Sequence, residues 1–344
     1  MSKSKRKLYE SIKINDFREL VNRYKTLYFN KTAFEYKETP HSKEHIKISY
    51  AKFADDIEAL GTALLDLGLR GKRIAIISPN RYEWCVSYLA VTTSDIVVVP
   101  LDKSLPNNEI KDLIIRSKVD GVIFDSKYAE VFHKLQKDNT NNLKYYICMD
   151  QVDGFDSYNT LIEKGASLIK EGASDYFDIT IDNKKMSIML FTSGTTSMSK
   201  AVALSQSNIC EDIYALSQMT DIRKEDVFLS FLPLHHTFES TCTFLYGSYS
   251  GITIAFCDGL KYVQKNLAEF NVTGFVCVPL MLEIMYKKIR KGIEEKGKAK
   301  MVKLASKLCN FFLKIKIDIR RLVFKEILNN LGGKLRILIA GGAS

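Results

Sequence analysis

The chain has 344 residues, a formal net charge of +10, 46% hydrophobic residues and 26% charged residues. This is ordinary globular usage, which excludes a disordered chain, a collagen-like chain and a small disulfide scaffold, while the length favours two domains or subdomains. Between Lys287 and Lys325 there are 14 Lys or Arg residues against three acidic residues, so the positive charge is one patch, and we expect no nucleic-acid partner.

Apolar strands and helices alternate through the first half of the chain. A helical pattern from Phe53 to Leu67 ends at Gly68, the usual C-terminal signal of a helix. The next predicted elements, in order, are a strand at 73–77, a helix at 83–93, a strand at 96–100, a helix near 107–117, and strands at 121–124 and 145–149.

Residues 151–185 are more irregular, and we take them as the boundary between two subdomains, 1–185 and 186–344. Alternation then resumes with a strand from 186, a polar loop, a helix near 206–219 and further strands at 227–231, 252–256, 273–278 and 336–340. Short, fully apolar strands separated by helices are typical of mostly parallel sheets covered on both faces. The expected fold is therefore α/β, with two mostly parallel sheets.

The chain ends directly after its last predicted strand. Ligands bind at the carboxyl ends of strands in open α/β sheets, so an end at this point suggests an interrupted domain. The final four residues are Gly341, Gly342, Ala343 and Ser344.

The segment after the strand at 186 has the composition of an anion-binding loop. Six of the nine residues from Thr192 to Lys200 are Ser or Thr, and one Gly and one Lys are among the others. Hydroxyl donors, exposed backbone amides and a cation suit a polyphosphate. The G-x-x-x-x-G-K-[ST] pattern of P-loop NTPases is missing. A solvated Ser/Thr linker is the alternative.

Two adjacent histidines, His235 and His236, raise the question of a metal site. Neighbours on an extended segment point to opposite faces, and no nearby carboxylate or cysteine cluster completes a zinc set. We therefore expect no metal ligands in this chain. A buried structural histidine is the alternative to a substrate-contacting one.

Seven cysteines are scattered without a C-x-x-C pair, and the basic N-terminus is not followed by an apolar core. The first feature favours buried free thiols over disulfides or zinc, and the second excludes a secretory signal. No apolar run approaches the ~18 residues of a membrane-spanning helix. We expect a cytoplasmic protein.

The pattern T-S-G-T-T-x-x-S-K at 192–200 resembles the phosphate-loop signature of the adenylate-forming superfamily. The likeness runs through most of the chain and is closest to the N-terminal part of bacterial long-chain fatty-acid–CoA ligases. It includes ISPNRYEW (77–84), VVVPLDKSLPNNEI (97–110), LSFLPLHHTFES (229–240) and GGKLRILIAGGAS (332–344). The resemblance implies the large N-terminal domain of this fold, truncated before its small C-terminal domain.

The resemblance also implies roles for individual residues. His236 aligns with the catalytic histidine that borders the acyl carboxylate, and Glu239 occupies a position that is often acidic beside the substrate. The G-G-A-S run, Gly341 to Ser344, would wall the adenine. The implied ATP phosphate loop consists of Thr192, Ser193, Gly194, Thr195, Thr196, Ser197 and Lys200.

The implied reaction is ATP-dependent activation of a fatty acid to an acyl-adenylate, followed by thioester formation with CoA, with Mg²⁺ on the phosphates. An acyl–acyl-carrier-protein ligase uses the same first step and is the runner-up. Ser197, where most members have Gly, and the abrupt end at Ser344 support a third reading, a non-catalytic nucleotide- or lipid-binding module. By itself this chain is expected to have weak or no activity.

The basic patch at 287–325 contains an amphipathic pattern. Apolar residues from Met301 to Ile315 follow i, i+3, i+4 spacing, and lysines occupy the other faces. A basic amphipathic helix binds anionic membranes, so peripheral contact with the inner membrane face is one interpretation. The alternative is an ordinary surface helix whose apolar stripe is packed.

Overall fold

The computed structural model describes residues 8–138, 141–192 and 199–342. Within them, two sheets are flanked by helices. The strands are β1 (Thr32–Tyr36), β2 (Ile46–Ser49), β3 (Arg73–Ile77), β4 (Val97–Pro100), β5 (Gly121–Phe124), β6 (Tyr145–Cys148), β7 (Asp156–Ser157), β8 (Met186–Thr192), β9 (Lys200–Ser205), β10 (Val227–Ser230), β11 (Thr253–Phe256), β12 (Gly274–Cys277) and β13 (Ile337–Ala340).

Helices connect most of these strands. They are α1 (Phe17–Leu27), α2 (Tyr50–Asp66), α3 (Tyr82–Thr93), α4 (Asn107–Ser117), α5 (Ala129–Gln136), α6 (Tyr158–Lys170), α7 (Asp175–Asp178), α8 (Gln206–Met219), α9 (Thr237–Glu239), α10 (Tyr246–Tyr249), α11 (Val263–Glu269), α12 (Pro279–Glu295), α13 (Ala299–Lys314), α14 (Arg320–Val323) and α15 (Lys325–Asn329). A π-helical segment, Ser240–Leu245, joins α9 to α10, and short 3₁₀ turns lie at Ser126–Tyr128 and Leu260–Tyr262.

A seven-stranded sheet has the order β7-β6-β5-β3-β4-β8-β9. Every neighbouring pair in it is parallel except β8 and β9, which form an antiparallel hairpin. Its strands β3, β4 and β5 are almost fully buried. The predicted strand 73–77 and helices 107–117 and 206–219 coincide with β3, α4 and α8, so the α/β prediction is confirmed.

The six-stranded sheet has the order β13-β12-β10-β11-β1-β2. Strand β10 pairs in parallel with β11 and β12, and β12 pairs in parallel with β13. The prediction of two mostly parallel sheets is therefore also confirmed.

The chain forms two compact units. The first contains the residues up to Phe34, Lys47–Lys224 and Pro233–Ile252. The second contains Glu35–Ile46, Glu225–Leu232 and the residues from Thr253 onward.

These units differ from the subdomains 1–185 and 186–344 that we expected from the sequence. Strand β8 pairs with β4, and β9 pairs with β8, so both strands belong to the seven-stranded sheet of the first unit. The irregular stretch 151–185 contains α6, which packs on α2 of that same unit. Pairing between distant strands is not encoded in local periodicity, which explains the difference.

The seven cysteines are free, and all are buried except Cys257, which is half-buried. The prediction of free thiols is therefore confirmed. Within the described ranges, the helices are all too short or too polar to cross a bilayer.

Candidate functional site

Polar side chains follow four parallel strands of the seven-stranded sheet. Asn80 comes three residues after β3, Asp102 two residues after β4, Asp125 directly after β5 and Asp150 two residues after β6. Because these strands run in the same direction, the four residues lie along one edge of the sheet. This carboxyl edge is where open α/β sheets bind ligands.

Arg81 satisfies the acidic residues at one end of this edge. Its guanidinium donates to Asp125 Oδ2 (2.8 Å) and to Asp150 Oδ1 (3.1 Å). Burial alone would raise the pKa of Asp150, but hydrogen bonds from Arg81 and Ser126 outweigh it, so the pKa is lowered. The carboxylates in this half of the edge are therefore held in an internal ion-pair cluster around Arg81.

The double-histidine segment lies at the other half of the edge. The backbone N–H of Leu234 donates to Asn80 Oδ1 (3.2 Å), which ties the segment to the end of β3. His235 Nε2 lies 3.3 Å from Asp102 Oδ1, at the end of β4. The ring centroids of His235 and His236 are 4.3 Å apart.

The helical run after the histidines is anchored in an aromatic core. Phe244, in the π-helical segment, is fully buried, and its ring centroid lies 6.1–6.4 Å from those of Tyr88, Trp84, Phe53 and Phe34. This packing explains why the segment preceding the run is held against the sheet. π-helical turns of this kind are frequent near functional sites.

Two premises of the sequence-based argument against a metal site are wrong. The rings of His235 and His236 do not diverge to opposite faces, and a carboxylate, Asp102, is nearby. One ring nitrogen of each histidine and one oxygen of Asp102 all lie within 4.8 Å of one another. The carboxylate was missed because it precedes the histidines by more than 130 residues.

The three groups differ in exposure, and burial changes the pKa of His235. The His235 side chain is 7% exposed, Asp102 is 40% exposed, and His236 is exposed. Burial lowers the pKa of His235 to about 4, aided by His236 and Lys103 and opposed by Asp102. The imidazole of His235 is therefore neutral at pH 7.

His235 Nε2 is buried without a hydrogen-bond partner among the described residues. The 3.3 Å pair of His235 Nε2 and Asp102 Oδ1 is a close contact and does not form a hydrogen bond. Buried polar atoms in native proteins nearly always have a partner, so this nitrogen is a notable exception.

The two residues that the resemblance assigns to the acyl substrate have different environments. His236 is exposed, whereas Glu239 is only 1% exposed and accepts a hydrogen bond from Thr243 Oγ1 (2.9 Å). His236 directly precedes α9, and Glu239 is the last residue of α9. Only His236 is accessible to a ligand in this conformation.

The flanks of the Ser/Thr loop are paired across the hairpin. Thr192 at the end of β8 lies opposite Lys200 at the start of β9. Strands β8 and β4 are parallel, and Ile188 of β8 lies opposite Val98 of β4. Thr192 comes four residues after Ile188, and Asp102 comes four residues after Val98. The loop therefore leaves from the same carboxyl edge. Five of the predicted phosphate-loop residues lie outside the described residues: Ser193, Gly194, Thr195, Thr196 and Ser197.

Arg116 brings a second cation to the base of this loop. It reaches from α4 and donates through Nη1 to Ser199 Oγ (3.2 Å) and through Nη2 to the Ser199 carbonyl. Its guanidinium also lies 5.6 Å from the Phe191 ring centroid. Sequence reasoning missed Arg116 because it is 83 residues away from Ser199.

The predicted adenine-binding run begins at the carboxyl end of β13, in the second unit. The Gly341 N–H donates to the carbonyl of Cys277 (3.1 Å), which continues the pairing with β12. Gly342 has φ +73°, a left-handed conformation that favours glycine. Ala343 and Ser344 lie outside the described residues.

The general rule for strand ends would have found part of what was missed. Asp102 follows an apolar strand by two residues, and so does Asp150. The same rule selects Asn80, although no local pattern shows that it binds the backbone of Leu234.

The chain matches a known enzyme family and several named relatives. The family model described as AMP-binding enzyme matches residues 24–344. The chain is 31% identical over 323 residues to long-chain-fatty-acid–CoA ligase 5 of Rattus norvegicus, covering 86% of this chain and 46% of that protein. It is 26% identical over 317 residues to long chain acyl-CoA synthetase 4 of Arabidopsis thaliana, covering 86% and 47%. The chain thus spans about half the length of the curated relatives it matches.

Solved structures show the same fold. A long-chain-fatty-acid-CoA ligase (FadD1) from Archaeoglobus fulgidus matches with a TM-score of 0.71 and 15% identity, over 84% of this chain and 57% of that chain. ATP-bound MatB from Rhodopseudomonas palustris matches with a TM-score of 0.67 and 19% identity, over 96% and 55%. At these identities the likeness concerns the fold alone.

Proposed function

Because the chain belongs to the AMP-binding enzyme family, we propose that its protein activates a long-chain fatty acid with ATP and transfers the acyl group to CoA. In the first step a carboxylate oxygen attacks the α-phosphorus of ATP and pyrophosphate leaves, giving an acyl-adenylate. In the second step the thiol sulfur attacks the acyl carbon, AMP leaves, and the thiol proton passes to solvent. The relatives named as long-chain-fatty-acid–CoA ligases support this choice of acid.

The observation that carries the proposal is the hairpin at the carboxyl edge. A hydroxyl at Thr192 and an ammonium group at Lys200 flank a loop rich in Ser and Thr, and Arg116 lies at its base. Both reactants of the first step are anions, so bringing them together requires positioning and neutralisation of charge. Lys200 and the hydroxyls of Thr192 and Ser199 support that role toward the β- and γ-phosphates, with Arg116, itself paired with Asp112, beside Ser199.

The described flanks of the loop, Thr192, Ser199 and Lys200, include no carboxylate. Mg²⁺ binds phosphate oxygens readily, so these flanks fit a nucleotide that brings its own Mg²⁺. When bound there, Mg²⁺ would supply neutralisation of phosphate charge. Lys200 and Thr192 would orient the phosphates beside it.

His236 is the residue we assign to the acyl carboxylate. It is exposed on the same unit as the loop, at the turn that enters α9. Glu239 would act on the site from the protein interior, because its carboxylate is buried and accepts a hydrogen bond from Thr243. The assignment of Gly341 and Gly342 to the adenine stays a prediction from the resemblance.

The test is ATP-dependent capture of the acyl-adenylate by hydroxylamine, using the protein expressed from its complete gene. We expect Lys200→Ala to reduce kcat/KM for ATP by roughly 10- to 100-fold, because a hydrogen bond to a charged group contributes ~1.5–3 kcal/mol. Lys134→Ala is the matched control, since Lys134 forms only an exposed pair with Glu130 on α5.

Absence of hydroxamate from a folded, ATP-binding protein would support the non-catalytic module instead. Equal kinetics for Lys200→Ala and Lys134→Ala would remove the loop from the proposal. Supplying CoA and holo-acyl-carrier protein in parallel separates the ligase from its runner-up, because only the true acceptor discharges the adenylate as a thioester.

A second proposal concerns where the enzyme meets its substrate. The apolar stripe of α13 is exposed: Leu304 is 70%, Phe311 61% and Met301 58% accessible. The alternative from the sequence was a surface helix whose apolar stripe is packed, and these exposed residues do not fit it. With the surrounding lysines, these three residues form a basic and apolar surface, here called the α13 surface. Such a surface suits an anionic membrane, where long-chain fatty acids partition.

A further inference from the structure

The strongest cluster outside the phosphate loop is Asp102, His235 and His236. One donor atom from each residue lies within 4.8 Å of the other two, and His235 Nε2 lies 3.3 Å from Asp102 Oδ1. Tetrahedral Zn²⁺ with bonds of about 2.0–2.1 Å separates its ligand atoms by roughly 3.3 Å. One edge of the required geometry is therefore already present, and the other two need only small side-chain movements.

A second, independent observation points to a ligand at the same place. The His235 side chain is 93% buried (7% exposed), and its Nε2 has no hydrogen-bond partner within the described residues. A buried polar atom left unpaired destabilises the folded protein. An atom that coordinates to the unpaired nitrogen removes this penalty, whereas the facing Asp102 does not, because it forms no hydrogen bond with that nitrogen.

The donor set and its exposure indicate what would bind. Two imidazoles and one carboxylate suit Zn²⁺ and its neighbours Co²⁺, Ni²⁺ and Cu²⁺, and they suit Mg²⁺ poorly. His235 closes the site from the protein side, while the exposed His236 and the 40% exposed Asp102 leave it open to solvent. Three protein ligands with an open position are the arrangement of non-structural zinc sites.

We propose that Asp102, His235 and His236 form a binding site for a divalent transition-metal ion of the Zn²⁺ type, separate from any Mg²⁺ that accompanies ATP. Occupation holds the His236 imidazole against Asp102 and away from a fatty carboxylate. The ion therefore acts as an inhibitor that competes with the acid. This consequence rests on the proposed function, whereas the metal site itself does not.

The binding test uses the complete protein, freed of metal with a chelator and titrated with Co²⁺ in the absence of any substrate. We expect saturable visible d–d absorption typical of four- or five-coordinate Co²⁺, bleached by stoichiometric Zn²⁺ and unaffected by excess Mg²⁺. A complete lack of saturable absorption up to about 1 mM Co²⁺ overturns the site.

Variants locate the site. Asp102→Asn keeps the shape of the side chain and removes the anionic ligand, and His235→Gln removes the buried nitrogen. Each substitution removes a direct ligand, whereas loss of only an outer partner of a ligand already weakens metal binding by up to ~100-fold. Each should therefore weaken Co²⁺ binding by at least ~100-fold. His41→Gln is the control, since His41 is exposed and lies in the second unit. Equal weakening by His41→Gln, or none by Asp102→Asn, contradicts the assignment.

The kinetic arm measures hydroxamate formation with and without Zn²⁺. We expect Zn²⁺ to raise the apparent KM for the fatty acid and to leave kcat unchanged, with recovery on adding chelator. Co²⁺ binding without any hydroxamate activity would sink the proposed function and leave the metal site standing. Activity without Co²⁺ binding would do the reverse.

Discussion

At the scale of single residues, Lys37 shows how a charge is accommodated inside the second unit. Its side chain is fully buried, and its ammonium contacts Asp258 Oδ2 (2.7 Å) and Glu269 Oε2 (2.9 Å). Asn266 Nδ2 donates to the same two carboxylates at 2.7 and 2.9 Å. Burial lowers the pKa of Lys37, but the two hydrogen bonds outweigh it and raise the pKa overall.

We expect Lys37→Met to lower the free energy of unfolding by about 3–5 kcal/mol, because it leaves the Asp258 carboxylate, only 5% exposed, without its counterion. Urea titration at pH 7 measures this. Lys134→Met breaks the exposed pair with Glu130 and should change stability by less than about 0.5 kcal/mol. Similar losses for the two variants would contradict the importance of the buried network.

The candidate site divides at this scale as well. Thr192 and Lys200 were predicted from a local run of hydroxyls and one cation, and the structure pairs them across β8 and β9. Asp102 and Arg116 were not predicted, since each acts on a residue distant in sequence. Their roles depend on which strands and helices are neighbours.

At the scale of elements, α2 and α6 are packed unusually closely. A Cβ atom at Gly165 of α6 would lie 1.8 Å from the carbonyl oxygen of Ala59 in α2. The glycine is therefore required by backbone contact and not by its own conformation. The segment 151–185 seemed irregular in sequence, and yet it supplies this helix.

Gly165→Ala should destabilise the first unit by about 3 kcal/mol, since relief of the overlap requires α2 and α6 to separate. Gly292→Ala in α12 is the matched control: nothing lies within 4 Å of its added Cβ. Alanine there should stabilise by roughly 0.5–1 kcal/mol through helix propensity. Opposite signs in thermal unfolding are the expected result, and a stabilising Gly165→Ala would refute the close packing.

At the scale of the whole molecule, the charge is unevenly distributed. The segment 287–325 contains 14 basic and three acidic residues. Its net charge is therefore larger than the formal net charge of +10 of the whole chain. The second unit contains both the α13 surface and most of the basic excess. Long-range attraction to an anionic surface is consequently directed at one part of the protein.

We expect the protein to co-sediment with phosphatidylserine-containing vesicles at low salt and to be released as salt rises, because each Lys or Arg near the surface contributes about 1 kcal/mol that salt screens. Leu304→Ser with Phe311→Ser should weaken partitioning at least ~10-fold through lost apolar burial. Met219→Ser is the control, an exposed apolar residue (65%) on α8 of the first unit. Lack of binding to anionic vesicles at low salt would end the membrane proposal.

The sequence by itself determined many of the elements and the class of fold. Strands such as β3 and β5 are continuous apolar runs, and helices such as α4 and α8 have clear periodicity and ends, so local physics was sufficient. Matching motifs also led to the AMP-binding enzyme family, which the family model confirms over residues 24–344.

Only the tertiary structure decided how those elements combine. The pairing of β8 with β4 moved the boundary between units, and it brought Thr192, the first residue of the Ser/Thr segment, to the edge that contains Asp102. The two histidine rings lie close together because the backbone turns here, with the His236 N–H donating to the Pro233 carbonyl, instead of following extended-chain alternation. Contacts of this kind join residues 80 to more than 150 positions apart, and their free energy is a property of packing that no local window of sequence contains.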